Sequence, residues 1–372
     1  MLRAWYLQSF CSLILCVVSH KLESATLKKK WFTHHEFWHP RLFELPFYIY
    51  LGLYCLIQRV SIPSLAKANA ALNHGEIGIG SKFHTQQQFD QQLFLPTTVL
   101  AADLPVAEKI SAIHSFATLH HYPLILKPDI GLVGKGLIKI IDEQSIERSA
   151  HKITGNYLLQ KFTPYTFECG IFYTRKLGRP KITGINQKHF PTVMGNGKDN
   201  LQQLAQQHYR YTHHWATFLQ YFDLTQVPAL GEKICLSFIG SHTMGCKFTD
   251  DTHWLTAELE AKIFSLFENQ PNFNFGRLDI KAESKEAMLR GEFVVIEVNG
   301  VSSLPTHMFD PDYSLIEAYK IFFKHGKDLV DIAKEHRHVK MDLLSLGEIL
   351  KRVKNNQNQL DQLHMDLKSQ QS

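Results

Sequence analysis

Apolar residues form two stretches early in the chain and alternate with polar ones later. The stretches cover residues 4–18 and 43–57, 15 residues each. Gln8, Ser9 and Ser12 dilute the first; Glu44 and Pro46 interrupt the second. Neither reaches the roughly 18 residues that argue for a membrane span. The first, with Arg3 before it and Ser24-Ala25 after it, has the make-up of a secretory signal core. Both stretches also suit helices lying at a membrane surface or packed on a globular body. From about residue 81, helix and strand signals alternate. Residues 86–94 read as a helix ending before Pro96, and 106–120 as an amphipathic helix. Short β-rich runs stand at 123–127, 137–141, 157–162, 169–174, 234–238, 277–281 and 293–298. Residues 200–207, 256–269 and 317–336 read as helices, the last closing the main domain. In the tail, Leu346, Val353, Leu360 and Leu367 recur every seven residues, which predicts an amphipathic helix. The divisions expected are an apolar, basic segment at 1–60, a linker or acceptor-pocket segment at 61–80, a main domain at 81–340 and a helical tail at 341–372.

Composition narrows the class. With 44% hydrophobic and 20% charged residues, the chain is globular. Of the net charge of +5, residues 1–60 hold +4, from seven Lys/Arg against three Glu. The remaining body is nearly neutral, which speaks against a nucleic-acid-binding surface. The N-terminal segment, with Lys28, Lys29 and Lys30 beside Trp31 and Trp38, suits an anionic surface. Six cysteines without a C-x-x-C pair read as reduced, mostly buried thiols. The pairs His34-His35, His213-His214 and His336/His338 lack the i, i+4 spacing of helical zinc ligands and read as surface or structural histidines.

Two regions carry chemistry. Asp129-Ile-Gly131-Leu-Val-Gly134-Lys-Gly136 lies between two β-rich runs, so it reads as a hairpin tip. Its glycines let backbone N–H groups approach phosphate oxygens, and Lys127 stands at its base. It matches neither the P-loop spacing nor the dinucleotide fingerprint. Further on, strand alternation puts Arg277, Asp279 and Lys281 on one face, with Leu278 and Ile280 in the core. In the next strand Glu297 and Asn299 share a face, and Val294, Ile296 and Val298 are expected on the other. Two carboxylates and an amide oxygen are hard ligands that suit Mg²⁺.

A glycine hairpin preceded by a lysine, with an Asp…Glu-x-Asn set about 150 residues later, resembles the ATP-grasp superfamily of carboxylate–amine ligases, to which D-alanine–D-alanine ligase and glutathione synthetase belong. The resemblance covers residues 81–325 and is closest to an uncharacterised bacterial branch, through Gly276-Arg277-Leu-Asp279, Glu297-Val-Asn299-Gly300-Val301 and His307-Met-Phe-Asp310-Pro311. It implies an α+β fold, with two α+β subdomains gripping ATP between antiparallel sheets. It implies that Lys82 and Lys127 touch phosphates under a flap of Gly131, Gly134 and Gly136. Gln160, Lys161 and Phe162 would meet adenine, Glu168 ribose, and Lys188 the phosphates. Asp279, Glu297 and Asn299 would hold Mg²⁺ or Mn²⁺, and Arg277 would stabilise the reacting groups. The sequence departs from the branch at Asn196, Ser241 and Ser303. A full domain before the nucleotide domain, usual in the superfamily, has no counterpart at 59–81.

The implied function is ATP-dependent ligation of a small-molecule carboxylate to an amine through an acyl phosphate. The alternatives are an ATP-grasp kinase and a non-catalytic ATP-binding protein at the membrane. The expected setting is cytoplasmic, as a homodimer with peripheral membrane contact through residues 1–60 and no nucleic-acid partner.

Overall fold

The computed structural model describes residues 34–369 except 79, 132, 133, 212, 213, 215–217, 220 and 221. The stretch 4–18, Lys28–30, Trp31, Cys11, Cys16 and His213 lie outside the described residues.

The second apolar stretch is α1 (Pro40–Gln58), with proline at its first position and Arg59 in the left-handed conformation closing it. Phe43, Phe47, Leu51 and Cys55 recur every four residues and are buried. The short α2 (Lys82–Gln86) follows, capped by Ser81, whose Oγ accepts the His84 N–H at 3.1 Å. The helix expected at 86–94 is thus replaced by two turns. Ser81 starts one, and Asp90 caps a 3-10 turn at Gln91–Leu93, so two polar caps break the run.

The smaller sheet is built from β1 (Thr97–Leu100), α3 (Val106–His120), β2 (Leu124–Pro128), β3 (Ile138–Ile140), α4 (Gln144–His151) and β4 (Tyr157–Lys161). Its strands run antiparallel in the order β1-β4-β2-β3. Leu100, Leu124, Leu126, Ile140, Tyr157 and Leu159 pack one face into a core with Ile113, Ala117, Ile146 and Ala150 of the helices. The other face carries Lys127, Lys139 and Gln160.

The remaining elements are β5 (Phe167–Lys176), β6 (Arg179–His189), β7 (Thr192–Met194), α5 (Leu201–Gln206), β8 (Lys233–Cys235), β9 (Lys247–Asp250), α6 (Ala257–Leu266), β10 (Phe275–Ala282), α7 (Lys285–Leu289), β11 (Val294–Asn299), α8 (Leu315–Glu335) and α9 (Leu346–Ser369). The larger sheet runs β11-β10-β5-β6-β9, antiparallel throughout. Its apolar face, with Ile171, Tyr173, Ile182, Ile185, Leu278 and Ile280, packs on α6 residues Leu259 and Ile263. The class is therefore α+β, as the resemblance implies. A third core joins α1 to α8, where the Phe47 and Phe322 rings stack at 3.8 Å.

One register differs from strict alternation. Asp279 pairs with Glu297, but Ile280 pairs with Val295, so Ile296 is bulged. Val295 and Val298 are buried, while Val294 and Ile296 are not fully so. The expected apolar face of Val294, Ile296 and Val298 is corrected by this slip. Of the described cysteines, Cys55, Cys169 and Cys246 are buried and Cys235 is exposed; all four are free.

Candidate active site

The polar face of the larger sheet is a set of cross-strand rows. Asn299, Arg277, Phe172 and Gly184 form one; Glu297, Asp279, Gly170 and Asn186 the next; Lys281, Glu168 and Lys188 the third. Directly opposed residues of an antiparallel pair point to the same side, so one face collects three cations, three carboxylates and two amides. Gly170 leaves the space they use: a Cβ there would stand 3.1 Å from Arg277 Cδ and 3.2 Å from Asp279 Oδ1. Arg277 donates to Asp279 from Nε at 2.9 Å and from Nη2 at 3.0 Å. Lys188 Nζ lies 2.8 Å from Glu168 Oε1 and 3.2 Å from Asp279 Oδ1. Burial works against the Asp279 anion, but Arg277 and Lys188 outweigh it and hold the carboxyl below its ordinary range. Burial likewise opposes the Lys188 cation, yet Asp279 and Glu168 hold its ammonium above the usual lysine value.

The smaller sheet supplies the other wall. Lys127 Nζ donates to Gln160 Oε1 and to the carbonyl of Ile296, both at 3.1 Å. That carbonyl lies at the bulge of β11, the edge strand of the larger sheet, and gives Lys127 its seat. Burial lowers the Lys127 pKa to about 8, partly offset by Glu297. Lys82, at the start of α2, donates from Nζ to Gly131 O at 2.5 Å and pairs with Glu297 Oε1 at 3.5 Å. Asp129 anchors α2 at the glycine loop, its Oδ1 accepting from Ser81 Oγ at 3.0 Å and the Phe83 N–H at 2.9 Å. Gly134, at φ +75°, is pressed against the larger domain: a Cβ would meet Ile239 Cγ2 at 2.2 Å. Gly136 also has positive φ.

Most of the sequence-predicted residues thus converge. Lys82, Lys127, Gly131, Gln160, Lys188, Arg277, Asp279, Glu297 and Asn299 are linked through side-chain contacts or register. Glu168 sits within a cluster of cations. It is buried between Lys188 and Lys281, 3.4 Å from the latter. Lys161 is exposed, whereas the Phe162 ring lies under Lys139 Nζ at 4.1 Å and edge-on to Phe238 at 6.1 Å. Asp279, Glu297 and Asn299 fit a hard divalent cation by donor type and by register, and Asp279 is kept ionised. Among the described residues no three His, Cys, Asp or Glu side chains cluster as a complete metal site. The set is two carboxylates and an amide, which suits an ion that takes its other ligands from phosphate and water.

Sequence reading missed Glu76 and Lys139, and named Lys281 and His307 without giving either a role. Glu76 is half-buried, accepts the Gly300 N–H at 2.7 Å and a bond from Thr85 Oγ1, and so ties α2 to the end of β11. Burial, with Glu297 nearby, raises its pKa. Lone charges in a loop or strand carry no local signal of this kind. His307 packs on Phe172 at 5.0 Å, the ring that also lies 5.8 Å from the Arg277 guanidinium. Its Nδ1 is buried without a partner, and burial lowers its pKa to about 4.

No protein-family model and no curated protein matches the sequence. Solved structures similar to the chain include a D-alanine–D-alanine ligase from Bacillus anthracis, at 14% identity and TM-score 0.36, over 68% of each chain. An N5-carboxyaminoimidazole synthetase from Staphylococcus aureus matches at 12% identity and TM-score 0.36, over 67% of this chain and 52% of that one. A bifunctional glutathione synthetase from Pasteurella multocida matches at 12% and 0.34, over 65% and 36%. The chain therefore spans about a third of the length of the glutathione synthetase and half that of the synthetase from Staphylococcus. Likeness this distant leaves the activity to be argued from the side chains.

Proposed function

We propose that the chain is an ATP-dependent ligase of the ATP-grasp type, joining a carboxylate to an amine through an acyl phosphate. The observation that carries the reading is the junction of the two sheets. Lys127, at the base of the glycine hairpin, reaches the bulged carbonyl of Ile296, one residue from Glu297. The glycine hairpin and the Glu297/Asp279 pair therefore meet at one junction.

In this reading Lys82 and Lys127 leave their present partners for phosphate oxygens, and backbone N–H groups of the loop at Gly131, Gly134 and Gly136 cover them. Gln160, Lys161 and Phe162 border the adenine, with Phe238 facing Phe162. Glu168 holds Lys188 and Lys281 in place, so that Lys188 meets the transferred phosphoryl. A divalent cation held by Asp279, Glu297 and Asn299 would neutralise phosphate charge during transfer. Arg277, fixed by its two bonds to Asp279, faces the charge that develops on the phosphoryl and acyl groups. The substrate carboxylate oxygen bonds to the γ-phosphorus as its bond to ADP breaks. The amine then bonds to the acyl carbon and phosphate leaves.

The test is ADP release with pooled carboxylates and amines. Release that needs both is expected. Release with one class alone favours phosphoryl transfer, and none with any pool rejects turnover. Glu297→Ala is expected to abolish release and leave the melting temperature unchanged. Full-rate release by that variant would remove the metal assignment.

A further inference from the structure

Outside the cleft, α1 presents a second face. Leu42, Leu45, Ile49, Leu53 and Leu56 follow one another at three- or four-residue steps, which places them in one stripe along the helix. Their exposure runs from 49% at Leu42 to 75% at Leu56, and Ile57 beside them is 71% exposed. A contiguous apolar stripe of this kind marks an interaction surface. Where the stripe ends, a groove of about 500 Å³ opens between the end of α1 and the end of α8. Its wall carries Ile57, Arg59, Lys67, Lys334 and Arg337, with no acidic side chain. Among the described residues none of these four cations is in an ion pair. Lys67 Nζ donates to the Arg337 carbonyl at 2.6 Å and Lys334 Nζ to Gln58 Oε1 at 2.9 Å, both neutral acceptors. An adjoining groove shares Lys67 and Arg337 and adds Lys340, with Asp342 as its acid.

The two features select among occupants. A free phosphate would satisfy the cations and leave the leucines in water. A second copy packed stripe to stripe would cover the leucines but would not by itself bring an anion to the groove. The surface of an anionic bilayer answers both: acyl chains take the stripe and headgroup phosphates take the groove. No single described helix is long and apolar enough to cross a membrane, and α1 joins the turn Pro63–Asn69 only across an 85° bend. We propose that the outer stripe of α1 and the Arg59/Lys67/Lys334/Arg337 groove together dock this protein on an anionic membrane leaflet, with α1 lying in the interface.

The experiment is co-sedimentation of the full chain with vesicles of phosphatidylcholine alone or mixed with phosphatidylglycerol. Two double variants are compared, Arg59→Glu/Arg337→Glu and Leu56→Gln/Ile57→Gln. These positions are exposed, and unchanged melting temperatures verify folding. The full chain is expected to sediment with the anionic vesicles at low salt and to be released by high salt. Each polybasic position contributes about 1 kcal/mol, so the charge-reversed pair should lower partitioning at least about tenfold. The glutamine pair should lower it comparably. Any of four results overturns the proposal: no sedimentation; wild-type sedimentation by both variants, which moves attachment to residues 1–33; release by inorganic phosphate but not by chloride at equal ionic strength, which makes the groove a phosphate site; or a dimer in light scattering that the glutamine pair dissociates.

Discussion

Lys127 shows how one residue joins sequence, structure and activity. Its position before a glycine-rich hairpin is visible in the chain, but its titration is not. Burial beside Gln160 and the Ile296 carbonyl lowers the ammonium pKa to about 8. A bound phosphate would favour the charged form, so the complex holds a proton that the free protein has begun to lose. Nucleotide affinity should therefore be flat below about pH 8 and fall by up to tenfold per pH unit above it. Over the same range the free protein gains stability from this group, because the unfolded chain keeps the proton up to its ordinary lysine pKa. Lys127→Met should weaken binding and remove the slope, while Lys135→Met, at the hairpin tip, should leave the slope intact. Calorimetry in buffers of different ionisation enthalpy reads the proton uptake directly; an unchanged slope in Lys127→Met would assign it to another group.

At the scale of the element, α1 is apolar nearly all round but not equally buried. The Phe47 ring stacks on Phe322, and Gly326 opposite admits it, since a Cβ there would stand 2.7 Å from Phe47 Cε2. Phe47→Ala should cost about 3–5 kcal/mol. Leu53→Ala, on the exposed stripe, should change stability by less than about 0.5 kcal/mol. Chemical denaturation of the two variants checks this; equal losses would place the outer stripe in contact with another part of the chain. In β6 the sequence hid a strand. Its cleft side carries Gly184, Asn186 and Lys188, residues poor in β-propensity, and only Ile182 and Ile185 mark the buried side. In β11 the alternation of Glu297 and Asn299 was legible, but the bulge at Ile296 was not, because a bulge depends on the partner strand.

For the whole molecule, the N-terminal region is part of the fold from His34 onward. Glu36 is buried and accepts both terminal nitrogens of Arg210, at 2.8 and 2.9 Å, with His242 Nε2 3.1 Å away. A chain starting at Ser61 would lose this pair, and with it the Phe37 ring that covers the Arg210 guanidinium at 5.1 Å. It would also uncover the core against which Phe43, Phe47, Leu51 and Cys55 pack, worth about 1.5–3 kcal/mol for each large side chain. The total rivals the stability of an ordinary domain, so this truncation should unfold at a much lower temperature or fail to fold. A melting temperature equal to that of the full chain would contradict the packing described. What could be read in advance were features with a local signal: the 106–120 helix, the glycine hairpin, the side of β10 that carries Arg277 and Asp279, and the helix expected at 317–336. Each is set by neighbours two to four residues away. The pairing of Glu36 with Arg210, the seat of Lys127 on Ile296 and the tie from Glu76 to Gly300 join residues 174, 169 and 224 positions apart. No periodicity spans such distances, so these contacts arise only when the two sheets and α1 close around shared cores.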